Sequence, residues 1–397
     1  MQWNAAGERD GAEPAEAART SRDRPVRRLR VLGFLASGPI GWGLLQFGKS
    51  RPDLVESIYV DHVFPLMRGL LSVLFSWWPI SAAEGLIAMA LGWIGWRALR
   101  GLRDARRGQR SLGNLMLHAL TQMLMATSVL YALLLLTWGF TNVRQPYAVH
   151  AGWEIQADAD PAELADLVHD LVARCNVLRP GVSDEDLEVL LDHGRLDPRV
   201  VRGFAALAEE VPAVHGGLPV VRVPMAARLL TLFQVGGIYS PFTGEAHVNR
   251  EPPVWRRAFT TCHEIAHQRG FAREDEANFI AYQVCVRARD AAFEYSGTFH
   301  AMQYALGALR RSAPERHTAE IARISERVRD DLRASTEFWM RWKGPISKVA
   351  QSTNARYLRL QGQTAGRASY GRMVDLMLAE RRARAAAGAS PARTSSD

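Results

Sequence analysis

Hydrophobic and polar positions divide the chain near residue 140. Before that point, long apolar runs alternate with arginine clusters. After it, apolar residues recur at helical and strand spacings on segments that are otherwise polar. Three apolar runs approach the ~20 residues needed to cross a bilayer core. They are Val31–Gly48, Pro79–Arg97 and Leu115–Gly139. The first follows a long basic lead, and no Ala-x-Ala site follows its apolar run before Lys49, so it reads as an anchor and not as a cleaved signal peptide. In the second half, Pro161–Val177, Ser183–His193 and Asp197–Glu210 have helical spacing. Val220–Val223 reads as a short strand, and Gly236–Asn249 as a hairpin or edge strand. From Pro252 the pattern is helical nearly to Arg384, with breaks expected near Gly270, Gly297, Pro314, Gly344 and Gly362.

These elements define an organisation: a basic N-terminus at 1–30, a three-helix transmembrane region at 31–140, a linker at 141–160, a mostly helical domain with a short sheet at 161–384, and a disordered tail at 385–397. With 397 residues and 48% apolar residues the chain is no disordered, collagen-like or disulfide-scaffold sequence. The formal net charge of +8 is carried almost wholly by arginine; Lys49, Lys343 and Lys348 are the only lysines. Arginines crowd before the first run and again at 97–110, whereas the loop between the first two runs is mixed in sign. Positive residues stay in the cytoplasm, so the N-terminus and the 98–111 loop are expected inside and everything after Gly139 outside. Trp77, Trp78 and Trp138 would fall in the outer aromatic belt. Beside membrane spans the arginines are topology signals, and no nucleic-acid partner is expected; the bilayer is. Glu84, in Ser81-Ala82-Ala83-Glu84, matches a capping box. His118 and Gln122, one turn apart in the third run, suit bonding between helices.

The chemistry concentrates in Thr261-Cys262-His263-Glu264-Ile265-Ala266-His267 and in the acidic run that follows. On a helix His263 and His267 are i,i+4 neighbours, so both imidazoles meet one zinc ion. Glu264 lies about 100° around the helix from His263, placed to act as general base. No third histidine follows at the metzincin spacing, where Arg273 stands, so the third ligand should be a carboxylate. Glu274 shares a helical face with Ala277, Asn278 and Ala281 and ranks ahead of Glu276; Asn278 would then orient a ligand histidine. Cys262 points away from its histidine neighbour and is no ligand. With Cys285 it forms either a disulfide or two buried thiols. Tyr239, Tyr282 and Tyr370 are the candidate oxyanion donors.

His-Glu-x-x-His followed by Glu-x-x-Ala-Asn resembles the gluzincin signature. Prenyl-protease-type membrane peptidases have Glu-x-x-Ala-Asp, with Asp where Asn278 stands here, and phage-repressor-cleaving peptidases have a Glu-x-Glu-Ala-Asn-like run. The chain more closely resembles a bacterial membrane family of unknown function, numbered 3810, which shares the order of three spans, linker and His-Glu-x-x-His. The likeness runs through Pro241–Ala246, Thr261–Asn278, Ser369-Tyr370-Gly371 and Val374-Asp375-Leu376. The resemblance implies a gluzincin-like α+β zinc metallopeptidase domain of a bacterial membrane protein but no known substrate; with the arginine pattern, the expectation is a multi-pass inner-membrane enzyme that faces away from the cytoplasm and acts on a peptide or protein substrate. It also implies a substrate strand above the zinc, carried over to Gly244, Glu245, Ala246, His247 and Val248. The rival is a non-catalytic membrane scaffold holding a structural metal. An intramembrane protease is disfavoured by Arg256, Arg257, Arg269 and Arg273 around the motif.

Overall fold

A computed structural model describes residues 13–109, 111–156, 160–189, 191–192, 195–217, 219–360 and 370–389. Four long helices lead: α1 (Glu13–Ser50), α2 (Pro52–Phe75), α3 (Ala82–Arg106) and α4 (Leu112–Thr137). Among the described residues three stretches are, by length and composition, able to cross a membrane: Val31–Ser50, Pro52–Phe75 and Gly113–Thr137. The expected span at 79–97 lies in α3, which is not among them; α2, expected as a loop, is. Its charges disguised it. Asp53, Glu56, Asp61 and Arg68 interrupt an otherwise apolar run, and Val55–Val63 is π-helical. α1 also begins well before residue 31, so the basic lead from Glu13 is helical.

The chain forms two compact units, 1–51 with 91–136, and 52–90 with 137–397. In the first, Ser128 Oγ donates to Leu35 O at 3.2 Å and Arg97 Nη2 to His118 Nε2 at 2.9 Å, tying helices as polar side chains do within apolar bundles.

The second unit holds the rest. Its short two-stranded piece is β1 (Leu191–Asp192) with β2 (Arg195–Leu196). Its sheet has the order β3 (Val220–Arg222), β5 (Glu245–Val248), β4 (Gly237–Ser240), parallel then antiparallel. The helices are α5 (Pro161–Leu178), α6 (Pro198–Glu210), α7 (Arg257–Gln268), α8 (Glu274–Arg287), α9 (Ala291–Ser312), α10 (Pro314–Arg323), α11 (Glu326–Arg341), α12 (Pro345–Leu360) and α13 (Tyr370–Ala389). Asp160 and Asp197 cap α5 and α6 through their side chains. The core is the apolar stripe of α5 (Leu164, Leu167, Val168, Leu171) against Phe293 and Phe299 of α9, Phe279 of α8 and Met373 and Met377 of α13.

Several expectations need correction. Residues 183–187 form a turn, because the Asp186 carboxylate accepts from both the Ser183 N–H and its hydroxyl and so competes with helix. Gly297 does not break α9. A Cβ there would come 2.5 Å from Cys285 Cβ, so the glycine lets α8 and α9 touch. Gly297→Ala should therefore cost about 1–3 kcal/mol through overpacking. Thermal unfolding would register this, and an unshifted transition would show that the two helices part freely. Residues 385–389, expected in a disordered tail, continue α13; 390–397, Gly362 and Ser369 lie outside the described residues.

The expected linker at 141–160 is packed from its start. Tyr147 is 1% exposed, with its ring 5.2 Å from Phe279 and 6.1 Å from Phe271, and Trp153 stands 5.8 Å from Phe279. Its proline, glycine and acids suggested looseness, but burial of these aromatic rings outweighs them. Arg144 spreads over the Phe271 ring at 4.0 Å and donates to Arg269 O and Ala213 O. Glu56 of α2 accepts from Gln145 N at 2.9 Å and faces Arg144 at 3.4 Å.

The turn between α2 and α3 is fixed to the sheet. Arg222 of β3 donates to Ser76 O at 2.8 Å and Trp78 O at 3.0 Å. Glu245 of β5, fully buried, accepts from Ala82 N and Ala83 N at 3.0 and 2.9 Å, a carboxylate at the positive end of α3. Half of the expected capping box forms, with Glu84 N donating to Ser81 Oγ at 3.1 Å. The Glu84 carboxylate instead accepts from Met225 N and Ala226 N.

Candidate metal centre

α7 ends where its sequence demands. Gly270 has φ +87, Gly270 N donates to His267 O at 2.9 Å, and Phe271 N donates to Ala266 O at 3.1 Å; this pair of bonds is the Schellman ending. The turn puts the Phe271 carbonyl 2.8 Å from His267 Nδ1. His267 must then carry its proton on Nδ1, and its Nε2 lone pair is left facing His263 and Glu274.

The three donors converge. His263 Nε2 and His267 Nε2 are 3.0 Å apart, and the Glu274 carboxylate lies 3.4 Å from the first and 3.6 Å from the second. All three ligand atoms fall within 4.8 Å of one another. Two imidazoles and one carboxylate make the donor set of three-ligand zinc sites, and one ion fits between them. The buried Nδ1 of His263 has no hydrogen-bond partner. Asn278 lies beside His263, and the Tyr304 hydroxyl is 3.4 Å from Asn278 Oδ1. Glu276 goes elsewhere: it accepts from Tyr147 N at 2.9 Å and from Arg273 at 2.7 Å.

The charges are mutually adjusted. Burial opposes ionisation of Glu274, but its hydrogen bond to His263 and the charges of both histidines hold it down at about 2. For His263 burial acts downward, and Glu274 outweighs it and raises the imidazole above its usual range. Burial, joined by His263, pushes His267 down to about 4. Glu264 is outside the converged trio and 4% exposed. Burial pushes its carboxyl up to about 8, with Glu274 adding to the rise while His263 and the Tyr239 N–H oppose it.

Glu264 meets β4. A Cβ on Gly237 would come 2.6 Å from Glu264 Oε1, so only glycine leaves room for the carboxylate. Asn249 N donates to Gly236 O, and the alternation of an antiparallel ladder then turns the N–H and C=O of Gly237 and Tyr239 away from β5, toward Glu264. The expected substrate strand Gly244–Val248 is thereby corrected. β5 is the central strand, paired on both sides and buried throughout, with no ladder left for a peptide. Glu245 serves α3, and His247 Nε2 meets Ser81 Oγ at 2.8 Å. β3 and β4 are the edge strands, and the β4 edge is the one that meets Glu264.

Of the candidate oxyanion tyrosines, Tyr239 packs its ring 5.9 Å from Trp138 and offers Glu264 its backbone. Tyr282 has Glu380, Arg384 and Arg287 as charged neighbours, and the side chain of Tyr370 is outside the described residues. Sequence reasoning missed Tyr304 and His300 of α9; the latter stacks on Phe259 at 4.2 Å. It also missed Trp138, edge-on to His267 at 6.2 Å. No spacing rule links residue 138 or 304 to residue 263. Cys262 and Cys285 are free buried thiols with Sγ atoms 3.9 Å apart.

A family model described as a protein of unknown function (DUF3810) matches residues 59–378. No curated protein and no solved structure matches the chain.

Proposed function

The chain belongs to the DUF3810 family, and from that footing we propose that it is a membrane-anchored, gluzincin-like zinc metallopeptidase. The observation that supports this reading is the convergence of His263, His267 and Glu274, with Glu264 placed between that trio and the free edge of β4. His263, His267 and Glu274 would hold the ion, and Phe271 O and Asn278 would orient the histidines. Bound there, zinc supplies Lewis-acid chemistry to a scissile carbonyl and to water. Glu264 takes the proton from the attacking water and passes it to the leaving amine. An extended peptide adds to β4, where the outward backbone groups of Gly237 and the Tyr239 carbonyl continue the ladder, the Tyr239 N–H stays with Glu264, and Ile238 offers an exposed apolar contact. The Tyr304 hydroxyl, next to Asn278, is the nearest phenol to the trio that α9 supplies and suits stabilisation of developing negative charge. The test measures metal content and peptide hydrolysis together on wild type and Glu264→Gln, in full-length protein.

The arginine pattern sets the side on which this occurs. With the arginine cluster at 97–110 inside, one crossing by Gly113–Thr137 leaves the centre outside the cytoplasm of a bacterial inner membrane. A reporter active only outside should work when fused after Pro146 and fail when fused after Arg107. The reverse result would overturn this orientation and the compartment with it.

A further inference from the structure

A cavity of about 360 Å³ opens beside α7, lined by Gln234, Gly236, Asn249, Arg256, Thr260 and Trp339 among others. Small-ligand pockets start near this size, at roughly 300 Å³. Two of its walls adjoin the candidate base. Thr260 precedes Glu264 by one helical turn on the same face, and Gly236 is bonded to Gly237, which packs on the Glu264 carboxylate.

The polar groups of this cavity differ in how far they are engaged. Gln234 Nε2 donates to Trp339 O at 3.0 Å, and its Oε1 accepts from Gln351 at 2.5 Å. Asn249 donates to Thr231 Oγ1 and Val235 O and accepts from Glu251 N. Arg257 is paired with Glu188 at 2.5 Å and donates to Arg250 O. Arg256 is the charged group of the lining without such a partner. It is partly buried, yet among the described residues no carboxylate stands within ion-pair distance of it. Its electrostatic neighbours are the Tyr304 hydroxyl and His300, two of the groups α9 brings near His263. A guanidinium drawn out of water costs free energy unless an anion meets its fork of donors, and a planar carboxylate is the anion that matches that fork.

We propose that the Arg256 cavity is a substrate subsite for a carboxylate, carried either by an Asp or Glu side chain or by the C-terminus of the peptide. The assignment rests on the peptidase reading and names the substrate class of the same centre. Thr260 and Trp339 flank the ligand, and Arg256 supplies the charge that selects it.

The test uses full-length, zinc-loaded protein and quenched peptides in pairs. One set differs by Glu against Gln at a single position, the other by a free against an amidated C-terminus. A carboxylate–guanidinium contact should favour the charged member of one set by about 10- to 100-fold in kcat/KM. The set that responds identifies the source of the carboxylate. Arg256→Ala should bring the ratio toward unity, Arg256→Lys should keep part of it, and Arg256→Glu should turn the preference toward Lys-bearing peptides. A wild-type ratio under about twofold in both sets, or a ratio unchanged in Arg256→Ala, overturns the subsite. If Arg256→Ala does not fold, the wild-type pairs decide alone. Equilibrium binding of the same peptides to Glu264→Gln, with and without Arg256→Ala, separates the two levels. Carboxylate-selective binding without cleavage by wild type rejects the peptidase and keeps the subsite; cleavage without carboxylate preference does the opposite.

Discussion

Glu264→Gln is expected to retain zinc and fold normally while hydrolysing peptides about 10²–10⁴ times more slowly than wild type. The carboxyl is not one of the three converged donors, so its loss should leave metal affinity intact. Glutamine has the same shape, fits against Gly237 and keeps an oxygen to accept from the Tyr239 N–H, so the local packing survives. What disappears is an oxygen able to hold a proton. His263→Ala should instead lose metal and activity together. Zinc content by plasma mass spectrometry, thermal unfolding and peptide cleavage on one preparation separate these outcomes. Equal hydrolysis by wild type and Glu264→Gln would remove the enzyme reading and leave a structural metal on a membrane scaffold, which has no use for Glu264.

The second large effect divides two glutamates two residues apart. Glu274→Ala should strip the metal as thoroughly as His267→Ala, because it removes the one carboxylate facing both imidazoles. Glu276→Ala should keep the metal and lose stability. The Tyr147 N–H would be left buried without its acceptor and Arg273 without its partner, at a cost of about 1–3 kcal/mol for the orphaned donor. Zinc stoichiometry and the unfolding midpoint, read side by side, should move in opposite patterns for the two variants. If Glu276→Ala lost metal and Glu274→Ala kept it, the ligand assignment would pass to Glu276.

The trio was legible because a helix has a period. Two histidines four apart must share a face, and Glu274 was singled out by the same geometry on the next helix. The family's likeness and the existence of long apolar helices were legible too. Sheet order was not. That β5 is central depends on β3 arriving from a segment that shares no turn with the hairpin, and hairpin spacing says nothing about a third strand. Nor was α2 legible as a helix, since its charges interrupt the apolar run and their partners, such as Arg144 for Glu56, lie far along the chain. The same separation hid Gly237, Tyr304 and Arg256. Each acquires meaning only from what folding sets beside it.

The unit that carries the centre is assembled from two pieces of chain, 52–90 and 137–397, with 46 intervening residues that belong to the other unit. The early piece is synthesised first and must wait. Arg222, Glu245 and Glu276, which give Ser76, Ala82 and Tyr147 their partners, emerge from the ribosome only later. Until then the apolar flank of α2 that ends against Gly270 has no protein surface to cover it, and the bilayer is the apolar medium at hand. Maturation of the centre is thus a step that follows insertion of the third long apolar helix. A chain stalled or cut near residue 136 would hold the long apolar helices and none of His263, Glu264, His267 and Glu274.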